Sequence, residues 1–424
     1  MKYPKYPAYK DSGVEWIGKI PEHCKLLKLK YLTWCLDSNR IPLNAQERSF
    51  REGQVEYWGA NGVIGYVDKF LFNEEIVLIG EDGAPFNEKF KEVAFYVNKP
   101  IWPNNHIHVL KTRTGALSNF IKHSLNSCDF TNFIEGSTRD KLTQSKLLQI
   151  PIVICDTNEQ EKILLFLENK ISIIDKITSK LQNHINLLKE KRQAIITNAV
   201  TKGLDPNVPM KDSGVEWIGK IPEHWKLSSI KFVSEVTMGQ SPPSDFYLDS
   251  GNLPFLQGCA DFGEIFPNSK HYCEVATKTS GPGDILLSVR APVGEINLSD
   301  RVYGIGRGLC SIKPLTTKGD YLKWYLFAAK NKLISISNGS TYDSVAINDV
   351  KNLEISISMV EFEQNAICEY LNTETTKIEL LISKHLRLID LLKEYKTSLI
   401  TQAVTGKIDV RDFAPPTTSN NAQS

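Results

Sequence analysis

The sequence contains an internal duplication, which constrains the fold more than any other feature. The 14 residues 10–23, KDSGVEWIGKIPEH, recur without change at residues 211–224. A shorter match, Gly-Ser-Thr followed by one variable residue and Asp, occurs at residues 136–140 and 339–343. Repeats this far apart indicate two copies of a whole domain with its connections. Between the shared segments the sequences differ almost completely, so we expect one duplicated architecture with two unlike surfaces.

Each repeat ends in a segment with the pattern of a long helix, at residues 157–205 and 359–409. Apolar residues recur there at alternating spacings of four and three, as in a heptad seam. The predicted seam consists of Leu167, Ile171, Ile174, Leu181, Ile185 and Leu188 in the first helix and Leu371, Ile378, Ile382, Ile389 and Leu392 in the second. Polar residues interrupt both seams, and such positions commonly set register and orientation. We predict an antiparallel coiled coil that separates two globular domains with approximate two-fold symmetry.

The regions outside the long helices predict mixed sheets. An Asn-Gly pair at residues 61–62 lies between two β-prone runs, which is a strong hairpin signal. Further strands are predicted at residues 75–79, 93–97 and 106–110 with a helix at 116–127, and the second region predicts strands at 253–256, 284–289, 293–298 and 309–312 with a helix at 321–336. We therefore predict the α+β class, with two α/β domains whose sheets are antiparallel or mixed.

The patterns divide the chain into five predicted segments. They are a first domain (1–156), a first long helix (157–205), a second domain (206–358), a second long helix (359–409) and a polar, disordered tail (410–424). The N-terminus is polar and contains proline, unlike a secretory signal, and no apolar run has the length of a membrane span. We expect a cytoplasmic protein with no membrane partner.

Charge and cysteine content narrow the class of function. The formal net charge is +1, whereas a free-standing nucleic-acid binder usually carries an excess of Lys and Arg. DNA binding needs only a basic face, so this neutrality suggests that affinity depends on partners. The eight cysteines include no CxxC pair, which argues against a zinc site and a disulfide scaffold. We expect reduced thiols, most of them packed.

Motifs for catalysis are missing or lie in the wrong context. The sequence has neither the glycine-rich loop and Asn/Asp-Pro-Pro-aromatic motif of a methyltransferase nor the GxxxxGK[ST] motif of an ATPase. Residues 304–308 have suggestive glycine spacing, but a β-like segment follows them where a phosphate loop requires a helix. The Glu-x-Lys spacings at residues 168–170 and 394–396 lie in the heptad segments, where charged flanks are ordinary. We expect no catalytic, cofactor-binding or metal-binding residue.

The arrangement as a whole resembles the specificity subunit of type I restriction-modification systems. Five segments carry the resemblance: SGVEWIGKIPEHW (213–225), YWGANGVIGYVD (57–68), EDG (81–83), GDILLSVRAPVG (283–294) and GIGRGLCSI (304–312). It implies two target recognition domains that each read one half of a bipartite double-stranded DNA sequence. It also implies two modification (methyltransferase) subunits docked on the helices. Restriction (translocase-nuclease) subunits would join through them, and S-adenosylmethionine, ATP and Mg would belong to these partners.

The candidate DNA contacts are side chains that can bond base edges or phosphates. They are Trp58, Asn61, Lys69, Arg113, Ser137, Thr138, Arg139 and Lys141 in the first domain, and Gln240, Ser241, Gln257, Arg290, Arg307, Ser340, Thr341 and Tyr342 in the second. For each of them a plain surface or turn role stays open. Trp16 and Trp217 lie in identical segments and cannot distinguish two half-sites, so we assign them to packing or to a common partner surface. Cys24 stands where the second repeat has Trp225, and we expect this to alter local packing only.

Three hypotheses of function follow. The leading one is a non-catalytic DNA-reading subunit that delivers partner methyltransferases to the target. The alternative is a coiled-coil protein-interaction scaffold without DNA readout, which the near-neutral charge favours slightly and the unlike domains disfavour. A self-sufficient nuclease or methyltransferase is the third, and the missing motifs argue against it.

Overall fold

A computed structural model describes residues 3–136, 139–337 and 344–415. The chain forms two compact units, unit 1 from residues 1–181 and 386–424 and unit 2 from residues 182–385. Each unit mixes helices and sheets, which confirms the predicted α+β class. The predicted contacts Ser137, Thr138, Ser340, Thr341 and Tyr342 lie outside the described residues, as does most of the predicted tail.

Unit 1 has short strands and helices followed by a long helix. Its strands are β1 (Tyr9–Asp11), β2 (Lys19–Pro21), β3 (Lys25–Lys28), β4 (Thr33–Cys35), β5 (Val55–Gly59), β6 (Gly62–Val67), β7 (Glu75–Gly80), β8 (Ala94–Asn98), β9 (Ile101–Pro103), β10 (Ile107–Thr112), β11 (Ile134–Glu135), β12 (Lys141–Leu142) and β13 (Pro151–Ile154). Its helices are α1 (Leu29–Leu32), α2 (Ala45–Ser49), α3 (Ser118–Asn126), α4 (Gln144–Leu147) and α5 (Thr157–Lys202), of which α5 continues into unit 2.

Two sheets form the body of unit 1. One is antiparallel, in the order β4-β10-β7-β8, and the other has the order β6-β5-β9 with β5 and β9 parallel. The predicted hairpin is present as β5 and β6, with Asn61 in its turn and Gly62 at a φ of 121°. The predicted strands and helix of this region all occur within a few residues of their expected limits. Strand β7 is almost wholly buried because both of its faces pack on apolar side chains.

Unit 2 has a similar succession of elements, with differences in its minor strands and short helices. Its strands are β14 (Met210–Asp212), β15 (Lys220–Pro222), β16 (Lys226–Ser229), β17 (Ser234–Met238), β18 (Pro254–Leu256), β19 (His271–Tyr272), β20 (Thr279–Ser280), β21 (Ile285–Ser288), β22 (Ile296–Leu298), β23 (Tyr303–Ile305), β24 (Leu309–Pro314) and β25 (Glu354–Ile357). Its helices are α6 (Ile230–Val233), α7 (Gly319–Ala328), α8 (Lys330–Ile336), α9 (Ile347–Asn352) and α10 (Glu361–Val404), of which α10 continues into unit 1. The single helix predicted at residues 321–336 is divided at Ala329, where the backbone N–H is shared between two carbonyls of the preceding turn.

The sheets of unit 2 repeat the topology of unit 1 on an unrelated sequence. The order β17-β24-β21-β22 is antiparallel and corresponds to β4-β10-β7-β8. The parallel pair β18 and β23 corresponds to β5 and β9. The shared segments form equivalent two-stranded hairpins, β1-β2 and β14-β15, in the same register. Architecture is therefore conserved between the repeats although the intervening residues differ.

The long helices pair antiparallel within each unit. In unit 1 Phe166 of α5 packs on Phe413, and nine residues further along α5 Asp175 pairs with Lys396 of α10 at 2.9 Å. In unit 2 Arg192 of α5 pairs with Glu379 of α10 at 3.2 Å. All eleven predicted seam residues are buried or half-buried. Arg192 and Lys396 interrupt the seam in the sequence, and in the structure each pairs with a carboxylate of the facing helix.

The two shared tryptophans pack inside their own units. Trp16 is half-buried and packs against the buried cluster of Ile17, Ile20, Cys24 and Val153. Trp217 is half-buried against the core of unit 2, with its ring edge-on to Tyr325 at 5.7 Å between centroids. This placement fits packing, one of the two roles that the sequence suggested for them.

The expectation that every cysteine is a free thiol is wrong for two of them. Cys24 and Cys155 form a disulfide with their Cα atoms 4.5 Å apart. Cys24 directly precedes β3, and Cys155 directly follows β13. Because Lys25 lies opposite Ile154 at the end of this antiparallel pairing, Cys24 and Cys155 are the next two residues to face each other. The two cysteines are 131 residues apart in sequence, and only strand pairing brings them together. Replacement of the tryptophan by Cys24 thus creates a covalent link in addition to changing the packing.

Candidate nucleic-acid interface

Four strand ends of unit 2 meet around a cleft. Strands β17, β18, β21 and β23 are each followed by a loop that carries one of the predicted DNA contacts. These side chains line a single cleft of about 820 Å³, and they are Ser241, Gln257, Arg290 and Arg307. Gln240 is exposed next to them, and its side-chain carbonyl accepts a hydrogen bond from Thr277 at 3.4 Å. The structure therefore brings together predicted residues that are spread over more than 60 positions of sequence.

Glycines allow these loops to approach one another closely. A Cβ on Gly306 would lie 3.1 Å from both the Leu256 carbonyl and the Ser241 hydroxyl. A Cβ on Gly308 would lie 2.7 Å from the Gln257 carbonyl, so a larger residue there would push the loops apart. Gly306 and Gly308, in the turn from β23 to β24, thus allow this turn to pack closely against β18 and the loops that follow β17 and β18. Arg307 is carried between them at the rim of the cleft.

The cleft of unit 2 is electropositive. Its lining includes two arginines, Arg290 and Arg307, and, among the residues that the structure describes, no carboxylate. Both arginines are exposed, and within the described residues neither forms a salt bridge. An unpaired guanidinium has five N–H donors in a planar fork, which matches phosphate oxygens and the major-groove edge of guanine. The neighbouring Ser241 and Gln257 add shorter polar groups.

The corresponding edge of unit 1 is built by equivalent strand ends. The strands β4, β5, β7 and β9 end there, and backbone hydrogen bonds hold the loops that follow. The N–H of Asn104 donates to the Trp58 carbonyl at 2.9 Å, and the N–H of Glu81 donates to the His106 carbonyl at 2.8 Å. Asn61 and Asn105 are exposed at this edge. Each has an amide that could bond an adenine edge in two places.

Charged side chains at this edge of unit 1 form a paired network. Glu81 contacts Arg40 at 2.9 Å and Lys141 at 3.4 Å, and Asp82 contacts Arg139 at 3.2 Å. Asp37, which follows β4, accepts the ring N–H of His108 at 2.5 Å. Burial by itself raises the pKa of the Asp37 carboxyl, but the hydrogen bond and charge of His108 lower it below its usual range. The basic groups at this edge of unit 1 are therefore held in position by carboxylates. The two arginines of the unit 2 cleft are not, within the described residues.

Described residues that follow the shared polar turn are bonded to this edge in each unit. In unit 1 the N–H of Leu142 donates to the Glu81 carbonyl at 2.7 Å. In unit 2 the N–H of Val345 donates to the Val289 carbonyl at 2.9 Å. Both bonds run to the residue just after a central strand, so Leu142 and Val345 are placed equivalently in the two units. Arg139 and Lys141, which belong to the shared turn in unit 1, have exposed side chains.

The other predicted contacts of unit 1 are placed less favourably for binding DNA. Trp58 is only 9% exposed, packs on Phe95 and donates its ring N–H to Glu56 at 3.0 Å. Lys69 is exposed in the loop after β6. Arg113 is exposed but lies over the Trp34 ring at 4.7 Å and donates to the Thr33 carbonyl. Within the described residues, the side chains of these three residues do not take part in the charged network at the edge, although the Trp58 carbonyl accepts the N–H of Asn104 there.

Sequence reasoning missed three residues of the unit 1 edge. Arg40 donates to Glu81 and to the Ile107 carbonyl at 2.8 Å. Asn105 and His106 follow β9, and the His106 ring contacts Asp82 at 2.8 Å. The sequence pair Asn104-Asn105 before a β-prone run was the available signal, since such residues favour turns at strand ends. Arg40 had no local signal, because its position depends on how β4 pairs with β10.

The comparisons with known proteins agree with this arrangement. A profile of the family described as "Type I restriction modification DNA specificity domain" matches residues 37–187 and again residues 222–387. Among the described residues, none of the helices has the length and apolar character required to cross a bilayer.

Relatives extend the similarity over nearly the whole chain. A putative type I restriction enzyme MjaX specificity subunit from Methanocaldococcus jannaschii is 28% identical over 93% of this chain and 96% of its own length. A putative type I restriction enzyme specificity subunit from Haemophilus influenzae is 28% identical over 58% of this chain and 61% of its own.

Solved structures show the same fold. A chain from a study of the assembly and conformational transition of the type I R-M system has a TM-score of 0.70 at 20% identity, covering 91% of this chain and 98% of that one. The HsdS subunit from Thermoanaerobacter tengcongensis has a TM-score of 0.50 at 20% identity, with 92% and 98% covered. Since the family profile matches twice and spans most of the sequence, the chain belongs to the family of type I restriction modification DNA specificity domains.

Proposed function

We propose that this chain is the DNA-reading subunit of a type I restriction-modification complex, with one half of a bipartite double-stranded target read by each unit. The observation that carries the proposal is the cleft of unit 2, where Arg290 and Arg307 are exposed. Among the residues that the structure describes, neither arginine has a salt-bridge partner and no carboxylate lines the cleft. This lining of guanidinium, hydroxyl and amide groups is suited to an anionic, hydrogen-bonding ligand.

The unlike edges support the reading of different half-sites. Unit 2 offers two guanidinium groups that have no salt-bridge partner in the described part of the chain, and such groups pair best with guanine. Unit 1 offers the exposed amides of Asn61 and Asn105 beside paired basic groups. Amide side chains pair best with adenine. The two units share their strand topology but differ in the residues at this edge. Each unit can therefore present its own pattern of donors and acceptors from an equivalent scaffold.

We propose further that the chain is not itself an enzyme. Two methyltransferase subunits would supply the chemistry, and translocase-nuclease subunits would join through them, so that S-adenosylmethionine, ATP and Mg belong to these partners. Exposed leucines on the long helices provide apolar surface for such docking, and they include Leu187, Leu380, Leu388 and Leu391. Partner binding would also contribute the affinity that a net charge of +1 does not supply.

Selection from a random-sequence DNA pool tests this function. The full chain is purified with its methyltransferase subunits, and bound DNA is sequenced with the intact chain and with an Arg290→Ala/Arg307→Ala variant. We expect enrichment of a split motif, and loss of one half of that motif in the variant. Enrichment of no motif by an intact assembly would contradict DNA readout and favour the protein-scaffold alternative. Loss of both halves would contradict independent reading by the two units.

A further inference from the structure

Four metal-ligating side chains converge at the start of α5 in unit 1. They are His23, Cys24, Cys155 and Glu159, and one donor atom from each lies within 4.8 Å of all the others. Cys24 and Glu159 are buried, Cys155 is half-buried and His23 is exposed on one side. We propose that, when the Cys24–Cys155 disulfide is reduced, these four residues bind one thiophilic divalent cation of the Zn²⁺ class.

The spacing of the donors fits tetrahedral zinc. The His23 ring nitrogen lies 3.4 Å from the Cys24 sulfur and 2.8 Å from a Glu159 oxygen. In a tetrahedral site with usual Zn–N, Zn–S and Zn–O lengths, the corresponding edges are about 3.5 Å and about 3.3 Å. The imidazole and carboxylate therefore need to separate by only a few tenths of an ångström. Reduction frees the two sulfurs to occupy the remaining corners.

The second repeat shows that the thiols are an addition to a shared framework. The His–Glu pair recurs in unit 2, where His224 lies 3.0 Å from Glu363. There Trp225 occupies the position of Cys24 and donates its ring N–H to Glu363 at 3.0 Å. Ser358 occupies the position of Cys155, since each directly follows the last residue of the paired strand, and it also donates to Glu363. Unit 2 thus has the imidazole and the carboxylate without either sulfur.

An outer contact orients the carboxylate in unit 1. The Tyr6 hydroxyl donates to the second oxygen of Glu159 at 2.6 Å, which leaves the first oxygen directed at His23. Hydrogen-bonded partners of this kind fix ligand orientation in metal sites. Tyr6 is buried, so the contact is shielded from water. We assign Tyr6 as a positioning residue for the proposed site.

Two sulfur donors decide the class of cation. Thiolates select Zn²⁺ and similar ions, whereas Mg²⁺ and Ca²⁺ prefer oxygen ligands. Reduction adds two electrons and two protons to the Cys24–Cys155 bond, with a phosphine or dithiol as the reductant. Binding of Zn²⁺ then releases one proton from each thiol. The disulfide and the metal-bound form are therefore mutually exclusive states of one site, and either one ties β3 to the strand that leads into α5.

Cobalt substitution and zinc competition test the proposal on the full chain. Phosphine-reduced, metal-free protein is titrated with Co²⁺, and then with Zn²⁺ against a chromophoric chelator. We expect one Co²⁺ per chain, with thiolate charge-transfer absorption and tetrahedral ligand-field bands, and displacement by Zn²⁺ but not by excess Mg²⁺. Oxidised protein and the Cys24→Ser/Cys155→Ser variant should show neither band. Tyr6→Phe should weaken Zn²⁺ binding by about tenfold or more while the cobalt spectrum stays tetrahedral.

Two control variants and one further measurement make the test decisive. His224→Ala removes the matched histidine of unit 2, and Cys35→Ser disrupts a second grouping of Cys35, Asp37 and His108; both should bind Zn²⁺ as the native chain does. Binding that is equally strong in the oxidised chain or in the double cysteine variant would overturn the proposal. If that variant fails to fold, alkylation of the reduced native chain decides, because Zn²⁺ must protect Cys24 and Cys155 specifically. Unprotected cysteines would equally overturn it.

Discussion

The backbone N–H of Arg307 donates a hydrogen bond to the side-chain hydroxyl of Ser241 at 3.0 Å. The bond joins the loop after β23 to the loop after β17. The Ser241 side chain therefore holds the backbone of Arg307 in place at the rim of the cleft. The guanidinium group itself has no salt-bridge partner within the described residues. A fixed backbone with a free charged end is suited to recognition, because little reorganisation is needed when a ligand binds.

Replacement of Arg290 or Arg307 by alanine should weaken DNA binding without affecting the fold. Each change removes a donor fork from the electropositive cleft, and a lost bidentate base contact costs about 1–3 kcal/mol of discrimination. Arg301→Ala is the matched control, since Arg301 is exposed in the same unit and already paired with Asp300 at 2.9 Å. Binding is measured by titration of labelled target DNA with the assembled complex at fixed salt. Equal losses in all three variants would indicate a general effect of charge.

Replacement of Trp225 by phenylalanine should destabilise unit 2. The Trp225 side chain is fully buried, and its ring N–H donates to Glu363. The variant keeps most of the apolar volume but removes a donor to a charged acceptor, for which a loss of about 1–3 kcal/mol is typical. Urea unfolding of the two proteins gives the difference. Trp34→Phe, at a ring that is 46% exposed, should change stability by less than about 0.5 kcal/mol; similar values for the two variants would contradict the role of the hydrogen bond.

Periodic and repeated features of this chain were predictable, whereas contacts made by strand pairing were not. The heptad spacing of residues such as Leu167 and Ile185 determines which helix face is buried, and the Asn61-Gly62 turn determines a hairpin, because both are local patterns. Cys24 and Cys155 carry no such signal, since they meet only when β3 pairs with β13. Trp58 illustrates the reverse case: it was predicted as a DNA contact, but the strand turns its ring into the core.

The candidate interface was predictable to the extent that polar residues follow strand ends. Arg290 and Arg307 stand just after two strands, and topology then brings them into one cleft. Arg40 belongs to the edge of unit 1 because it reaches Glu81 and the Ile107 carbonyl across β4 and β10. No pattern within a single segment encodes such a contact, which depends on the order of strands in the sheet.

Alanine at Ile185 should destabilise the paired helices far more than alanine at Leu187. Ile185 is 1% exposed in the seam, and Leu187, two residues along the same helix, is 60% exposed. Truncation of a buried isoleucine usually costs about 2–5 kcal/mol, because apolar burial is lost and a cavity remains. The exposed position should change stability by less than about 0.5 kcal/mol. Urea unfolding of the isolated chain, monitored by helical circular dichroism, compares them; equal effects would show that Ile185 does not form part of a packed seam.

A buried histidine should make unit 1 less stable as the pH falls below neutrality. His123 lies on α3 with 8% of its surface exposed, and its Nδ1 has no hydrogen-bond partner within the described residues. Burial, together with the positive charges of Lys122 and Lys396, lowers the pKa of His123 from 6.5 to about 3. Between these two values the unfolded chain binds a proton that the folded chain does not. The stabilising effect of a neutral His123 is therefore complete above pH 6.5 and is lost progressively below it, by about 1.4 kcal/mol per pH unit.

Replacement of His123 by leucine isolates this contribution. Leucine has no proton to gain and suits an apolar site, so the variant should lose about 2 kcal/mol less than the native chain between pH 6.5 and pH 5. The free energy of unfolding is measured in urea at both pH values, with the change in the variant subtracted to remove the titration of all other groups. Parallel pH profiles for the two proteins would mean that His123 takes up its proton in the folded state as readily as in the unfolded state, and hence that burial and the two lysines do not govern its charge.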